Sequence, residues 1–255
     1  MADPLGTLLL SAAMATAAGL VGCFAVMRRM SLASDALSHV ALPGIGIALA
    51  LHVHPVVGAL AALLLGALLV WGLERRTGIS TETVIGVVFS LALAVGSLLA
   101  TGEELVDALL GSPGTLGPWE IALGLLAAAG VSAFVLAQRN RLVLSLVSRE
   151  IAQTSGIGVA RLELLYLLAF SLTVALGLRY LGVLLMGSLV IIPAATAKHL
   201  ARSLGGMLGI AVGTAVLATL AGQLLAARLH LASGPVIIVV AGSLFLASLP
   251  LRRSR

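Results

Sequence analysis

Apolar runs close to 20 residues long recur about nine times along this chain, parted by only a few charged or turn residues, and that pattern constrains the fold more than any other feature. They fall near 5–27, 34–52, 55–73, 82–101, 118–138, 160–178, 181–198, 205–227 and 234–250. A helix of about 20 residues rises about 30 Å, the thickness of a bilayer's hydrocarbon core. Of the 255 residues, 60% are apolar and 10% charged, and the mean hydropathy is +1.16, beyond what a water-soluble core requires. The expected fold is all-α, a polytopic transmembrane bundle of about nine spans forming one domain over 1–255.

The basic residues orient such a bundle. With the N-terminus outside, the inner segments collect Arg28, Arg29, Arg75, Arg76, Arg139, Arg141, Arg149, Arg161, Lys198, Arg202, Arg252, Arg253 and Arg255, leaving only Arg179 and Arg228 outside. A split of 13 to 2 follows the positive-inside rule and degrades if a span is added or dropped midway, so the expected topology is N-out and C-in. The acidic residues Asp3, Glu103, Glu104, Asp107 and Glu120 lean to the outer side, where they suit a cation or a basic docking partner, or are simply loop polarity.

Several function classes fall away. The net charge of +5 is spread singly and in pairs between apolar runs, so no nucleic-acid footprint exists. Cys23 is the only cysteine, which excludes an intrachain disulfide and a cysteine-rich metal site and reads as a small core residue. Asp3 before the first run and Arg28 and Arg29 after it reverse the charge order of a signal peptide, so that run reads as a retained span. Lys198 is the only lysine and precedes His199, so a phosphate-binding Gly-x-x-x-x-Gly-Lys-Ser/Thr loop is impossible and the chain cannot hydrolyse ATP alone. His-Glu-x-x-His and Gly-x-Ser-x-Gly are absent, which removes two hydrolase signatures. At 4% aromatics there is no cage for an organic cation. Gly58-Ala62-Gly66 and Gly205-Gly209-Gly213 read as faces for close helix packing. No internal repeat is evident, which weighs against an inverted-repeat secondary transporter.

An ionisable pair interrupts the second run. Asp35 and His39 share one helix face at i and i+4 and offer a carboxylate oxygen and an imidazole nitrogen, both ordinary ligands for a borderline divalent metal. An intramembrane Asp costs about 2.5–3.5 kcal/mol on insertion scales, so its retention needs a reason. Pro43, one turn further on, has no N–H for the His39 carbonyl and is expected to kink the helix, freeing an oxygen as a third ligand. Gly44 and Gly46 allow another helix or a passing ion near the backbone, and Ser38 is an auxiliary donor or a packing hydroxyl. The competing reading makes Asp35 a helix cap and has His39 hydrogen-bond a neighbouring helix; spacing alone does not decide. Two protein ligands are too few for a closed structural site but suit a transient one that must release its ion.

Two further segments stand out. Residues 149–158 lie on the expected inner side between spans five and six, where Glu150, Ala152 and Gly156 fit either a short amphipathic helix ended by Gly156 and docked on another protein, or an ordinary loop. In Gly187–Ala197, Pro193 interrupts the seventh span and Thr196 can bond to backbone left free by the break, so the segment reads as a hinge. His52 and His54 flank the outer turn before Pro55, as catchers of an entering cation or as plain turn residues.

Six segments in order give the chain a near end-to-end resemblance to a known family. They are Arg28–Gly44 with its Ser-Asp-Ala-Leu-Ser-His core, Thr83–Ser90, Leu109-Leu-Gly-Ser112, Glu150-x-Ala-x-x-x-Gly156, Gly182–Ala197 and Gly234-Pro-Val. The chain resembles the membrane permease subunits of bacterial ABC importers for zinc and manganese, relatives at a distance of iron-siderophore and vitamin permeases. The resemblance implies a second copy of the chain, two cytoplasmic ABC ATPases that bind ATP, an extracytoplasmic metal-binding protein and a place in the inner (cytoplasmic) membrane. It implies no permanently bound cofactor, with zinc or manganese as cargo. It assigns metal contact to Asp35 and His39, ATPase coupling to 150–158, and alternating access to the bundle. Glu82, where many relatives carry Asp, and His199, where they often carry Arg, depart from the pattern.

Two other transport readings compete. A siderophore or corrinoid permease leaves Asp35 and His39 without a task and needs a larger cavity than about nine spans in 255 residues provide. An ion-coupled secondary transporter using Asp35 for protons would need no separate ATPase.

Overall fold

The computed structural model describes residues 4–30, 33–99, 117–181 and 183–251, without the side chains of residues 4, 33–35, 38, 99, 179–181, 183–185 and 251. Asp3, Glu103, Glu104, Asp107, the 109–112 motif, Arg252, Arg253 and Arg255 therefore lie outside the described residues. What is described is all helical: α1 Pro4–Met27, α2 Ala33–Ala50, α3 Pro55–Thr77, α4 Thr81–Leu99, α5 Pro118–Val147, the short α6 Arg149–Thr154, α7 Val159–Leu181, α8 Val183–Leu200, α9 Leu204–Leu229 and α10 Ser233–Ser248. A 3₁₀ turn at Leu249–Leu251 follows. The nine long helices among the described residues follow the nine apolar runs in order. Six of them, α1, α3, α4, α5, α7 and α9, are long and apolar enough to cross a membrane.

Helix α1 is the axis of the bundle and packs against α5, α7, α8 and α9. Its Met14, Phe24 and Leu10 are fully buried, as are Tyr166 and Phe170 of α7. The Tyr166 ring stands edge-on to Phe24 at 6.4 Å, and its hydroxyl donates to the Val21 carbonyl at 3.0 Å. The perimeter helices α3, α4, α5 and α9 turn leucines outward, with Leu91 at 64% and Leu126 at 74% exposure. Large apolar side chains thus lie on the outer surface as well as in the core, which a lipid solvent tolerates and water does not.

Glycines set the closest crossings. A Cβ at Gly58 would collide with the Gly44 carbonyl, and one at Gly44 with the Gly58 carbonyl, so α2 and α3 meet backbone to backbone. Gly22 of α1 meets the Val190 carbonyl of α8 in the same way. The face expected at Gly205, Gly209 and Gly213 is corrected: nothing lies within 4 Å of where their Cβ atoms would be, and all three are exposed. Helix α9 instead packs through Ala211, Ala215, Ala218 and Gly222 on its other side. Four-residue spacing marks a face but not which of two small-residue faces is used.

Two boundaries also differ from expectation. Helix α5 continues nine residues past 138 to Val147, because Arg139, Arg141, Leu142, Leu144 and Leu146 are good helix formers and carry the helix on beyond the apolar stretch. Helix α8 is continuous through Pro193. Proline removes the one bond to the Leu189 carbonyl, and the neighbouring bonds hold the turn.

Candidate functional site

Helix α2 sits between α3, α4 and α8. Asp35 lies in its first turn, one turn before His39, and the Asp35 and Ser38 side chains are among those not described. His39 is partly buried, with its ring 5.6 Å from the Phe89 ring of α4 at a 57° tilt. Its Nδ1 is buried and has no hydrogen-bond partner among the described residues. The bond to a neighbouring helix that would have made His39 an ordinary packing residue is therefore not made at Nδ1. A buried ring nitrogen without such a bond is available as a metal ligand. Among the described residues no three His, Cys, Asp or Glu side chains gather to hold a metal.

One turn on, Pro43 lies inside a continuous helix, with its Cδ 3.3 Å from where a Cβ on Gly96 of α4 would stand. Since His39 meets Phe89 and Pro43 meets Gly96, α2 and α4 run parallel, and α3 runs antiparallel to α2. Gly44 is taken up by the crossing with Gly58, so its small size serves another helix. Beyond His39 the same stripe of α2, with Val40, Pro43 and Ile47, lines an apolar groove of about 500 Å³ shared with α3 and α4. Lined by apolar side chains and glycines, it offers a bare cation no ligand. In α8 the Thr196 hydroxyl donates to the Ile192 carbonyl at 2.8 Å. That carbonyl is not the one Pro193 deprives of its donor, which belongs to Leu189.

The inner segment folds as a compact helix. The Ser148 hydroxyl accepts from the Ile151 N–H at 3.2 Å and starts α6, and Ala152 is fully buried beneath it. Gly156, at φ +77°, ends it in the left-handed region that glycine alone enters without cost. The Ile157 N–H then closes on the Ala152 carbonyl at 3.0 Å. Glu150, Ile151 and Gln153 are exposed.

Sequence reasoning missed what anchors this segment. Arg149 donates from Nη2 to both carboxylate oxygens of Glu163 on α7, at 2.6 and 2.7 Å, and lies 3.7 Å from Glu74 on α3. The hydrogen bond to Glu163 raises the Arg149 pKa further above its already high value. Next to it the Trp71 indole N–H donates to the Ala160 carbonyl at 3.0 Å and the Arg75 guanidinium lies 5.0 Å above the Trp71 ring. Since exposed ion pairs are worth only about 0.2–1 kcal/mol, this cluster fixes position more than it stabilises. The available signal was that Glu74 and Glu163, two of only ten acidic residues, fall at inner helix ends at the same expected depth as Arg149.

Two of the other histidines settle in the turn between α2 and α3. The His54 Nδ1 accepts from the Val56 N–H at 3.4 Å and caps α3, while His52 is exposed at φ 54° in the turn. His199, at the end of α8, keeps a buried Nε2 without a partner, and Glu82 is exposed in the first turn of α4. Cys23 is buried, its thiol 3.7 Å from the Met207 carbonyl.

A bundle of long apolar helices, with buried imidazole nitrogens at His39 and His199 unpaired among the described residues and a short helix at one end, fits a multi-pass membrane permease. Residues 5–252 match the ABC 3 transport family, and the chain belongs to that family. It is 31% identical over 236 residues to the high-affinity zinc uptake system membrane protein ZnuB of Haemophilus influenzae, covering 90% of each chain. It is 30% identical over 232 residues to the manganese transport system membrane protein MntC of Halalkalibacterium halodurans, covering 89% of this chain and 80% of that one. The solved structure of PsaBC from Streptococcus pneumoniae in complex with Fab superposes with a TM-score of 0.81 at 26% identity, covering 96% of this chain and 90% of that one.

Proposed function

We propose that this chain is the permease through which a bacterial importer carries bare divalent metal, zinc first and manganese next, across the inner membrane. The observation that carries the reading is the buried, unpartnered Nδ1 of His39, one turn from Asp35 on α2. A carboxylate and an imidazole with water completing the shell bind a divalent ion firmly enough to strip part of its hydration and loosely enough to release it. The zinc and manganese uptake proteins among the relatives support the same cargo class.

The working unit is two copies of the chain, two cytoplasmic ATPases that bind ATP and an extracytoplasmic metal-binding protein. All nine long helices span, N-out and C-in, supported by the 13 to 2 split of basic residues. At 16 residues α10 rises about 24 Å, and the 3₁₀ turn after it supplies the remainder. Glu150, Ala152 and Gly156 shape the segment that meets the ATPase, Pro43 and Gly44 hold α2 against its neighbours, and Pro193 with Thr196 forms a flexing point in α8. ATP binding draws the ATPases together, α6 passes the movement to the bundle, and the Asp35–His39 site opens alternately to each side.

The test is elemental analysis of a host lacking this chain and grown under chelation, with and without the chain restored. A zinc deficit repaired by the chain is expected. A manganese deficit moves the assignment to the second ion, and unchanged levels of both contradict metal import.

A further inference from the structure

We propose that Arg149 is a positioning residue, clamping α6 at once to Glu163 of α7 and Glu74 of α3, so that movement of α6 drives α3 and, through the Gly58–Gly44 crossing, the His39 helix. The inference rests on the permease reading and deepens it by naming the mechanical link.

Chain connectivity ties α6 only to α5 and α7. Glu74 of α3 is 75 positions away in sequence, yet the one cation of Arg149 faces carboxylates from both α3 and α7. The bond to Glu163 is bidentate and fixes direction as well as distance. The contact to Glu74, at 3.7 Å, is an ion pair without a tight hydrogen bond, which lets α3 shift by a fraction of an ångström without losing the attraction. The Trp71 indole bond to the Ala160 carbonyl holds the same ends of α3 and α7 in register. Without the Arg149 charge, Glu74 and Glu163 lose the one cation that both contact, and the attraction tying the two helix ends to α6 goes with it. From there the route is stiff, because α3 and α2 touch backbone to backbone at Gly58 and Gly44 and cannot slide independently. Val40, one residue from His39, presses on the same helix, its Cγ1 2.9 Å from where a Cβ on Gly66 would stand. A push on Arg149 thus reaches the imidazole through one ion pair, one helix and one crossing.

The test uses the full chain assembled with its ATPase subunits in proteoliposomes, with zinc moved and phosphate released measured in the same sample. Glu74→Gln and Glu163→Gln lie off α6 and are expected to keep ATP hydrolysis while lowering zinc moved per ATP by roughly five- to tenfold. The full exchange of Arg149→Glu with Glu74→Arg and Glu163→Arg, which reverses all three charges, is expected to recover most of that ratio, which a purely structural role does not predict. An unchanged ratio in both single variants overturns the clamp, as does a parallel fall of zinc transport and ATP hydrolysis. If the unaltered assembly moves no zinc or manganese with ATP, the permease reading itself fails and the clamp with it.

Discussion

A buried ring nitrogen left without a hydrogen-bond partner costs about 1–3 kcal/mol. His39 carries that cost at Nδ1, beside Phe89 and one turn from Asp35. His39→Leu, similar in bulk and free of the orphaned nitrogen, is expected to reduce zinc uptake at least about tenfold while the melting temperature in detergent holds or rises. Full uptake by that variant removes the imidazole from the pathway. Asp35 and His39 were legible because ionisable residues are rare in this chain and a four-residue spacing has one meaning on a helix. The absence of a partner at Nδ1 was not legible, since it depends on which residues of α4 come opposite, and those are 50 positions away.

Helices here meet through a few small residues, so the effect of a substitution depends on which glycine it strikes. Gly58→Val pushes a branched side chain into the Gly44 carbonyl and is expected to cost about 1–3 kcal/mol, visible as a lower melting temperature. Gly209→Ala meets nothing within 4 Å and is expected to be neutral or stabilising by up to about 1 kcal/mol. Equal losses in the two variants contradict the assigned crossing. Gly156→Ala forces a Cβ into the left-handed region at φ +77°, costing about 1–2 kcal/mol at the end of α6. Its expected readout is weaker co-purification of the ATPase. The apolar runs made the order of the long helices readable, because lipid-length hydrophobic stretches are hard to mistake. Their ends were less readable: α5 outruns its apolar stretch, and α8 carries Pro193 without a break. The clamp of Arg149 to Glu74 and Glu163 was invisible for a different reason. Ion pairing between helices depends on tertiary approach, which no local pattern encodes.

At the scale of the whole molecule, membership of the ABC 3 transport family and the superposition on PsaBC agree with a bundle whose perimeter helices turn leucines outward and whose axis is the buried helix α1. The chain has one lysine and no phosphate loop, so energy must come from outside it. The central claim is that it conducts a bare divalent metal only when a separate ATPase drives it. The direct measurement is uptake of zinc and manganese into proteoliposomes that hold the chain alone or with its ATPase, with ATP present or absent. Accumulation only when both ATPase and ATP are present is the expected result. Accumulation by the chain alone, driven by a proton gradient, would contradict the account and make it an ion-coupled transporter.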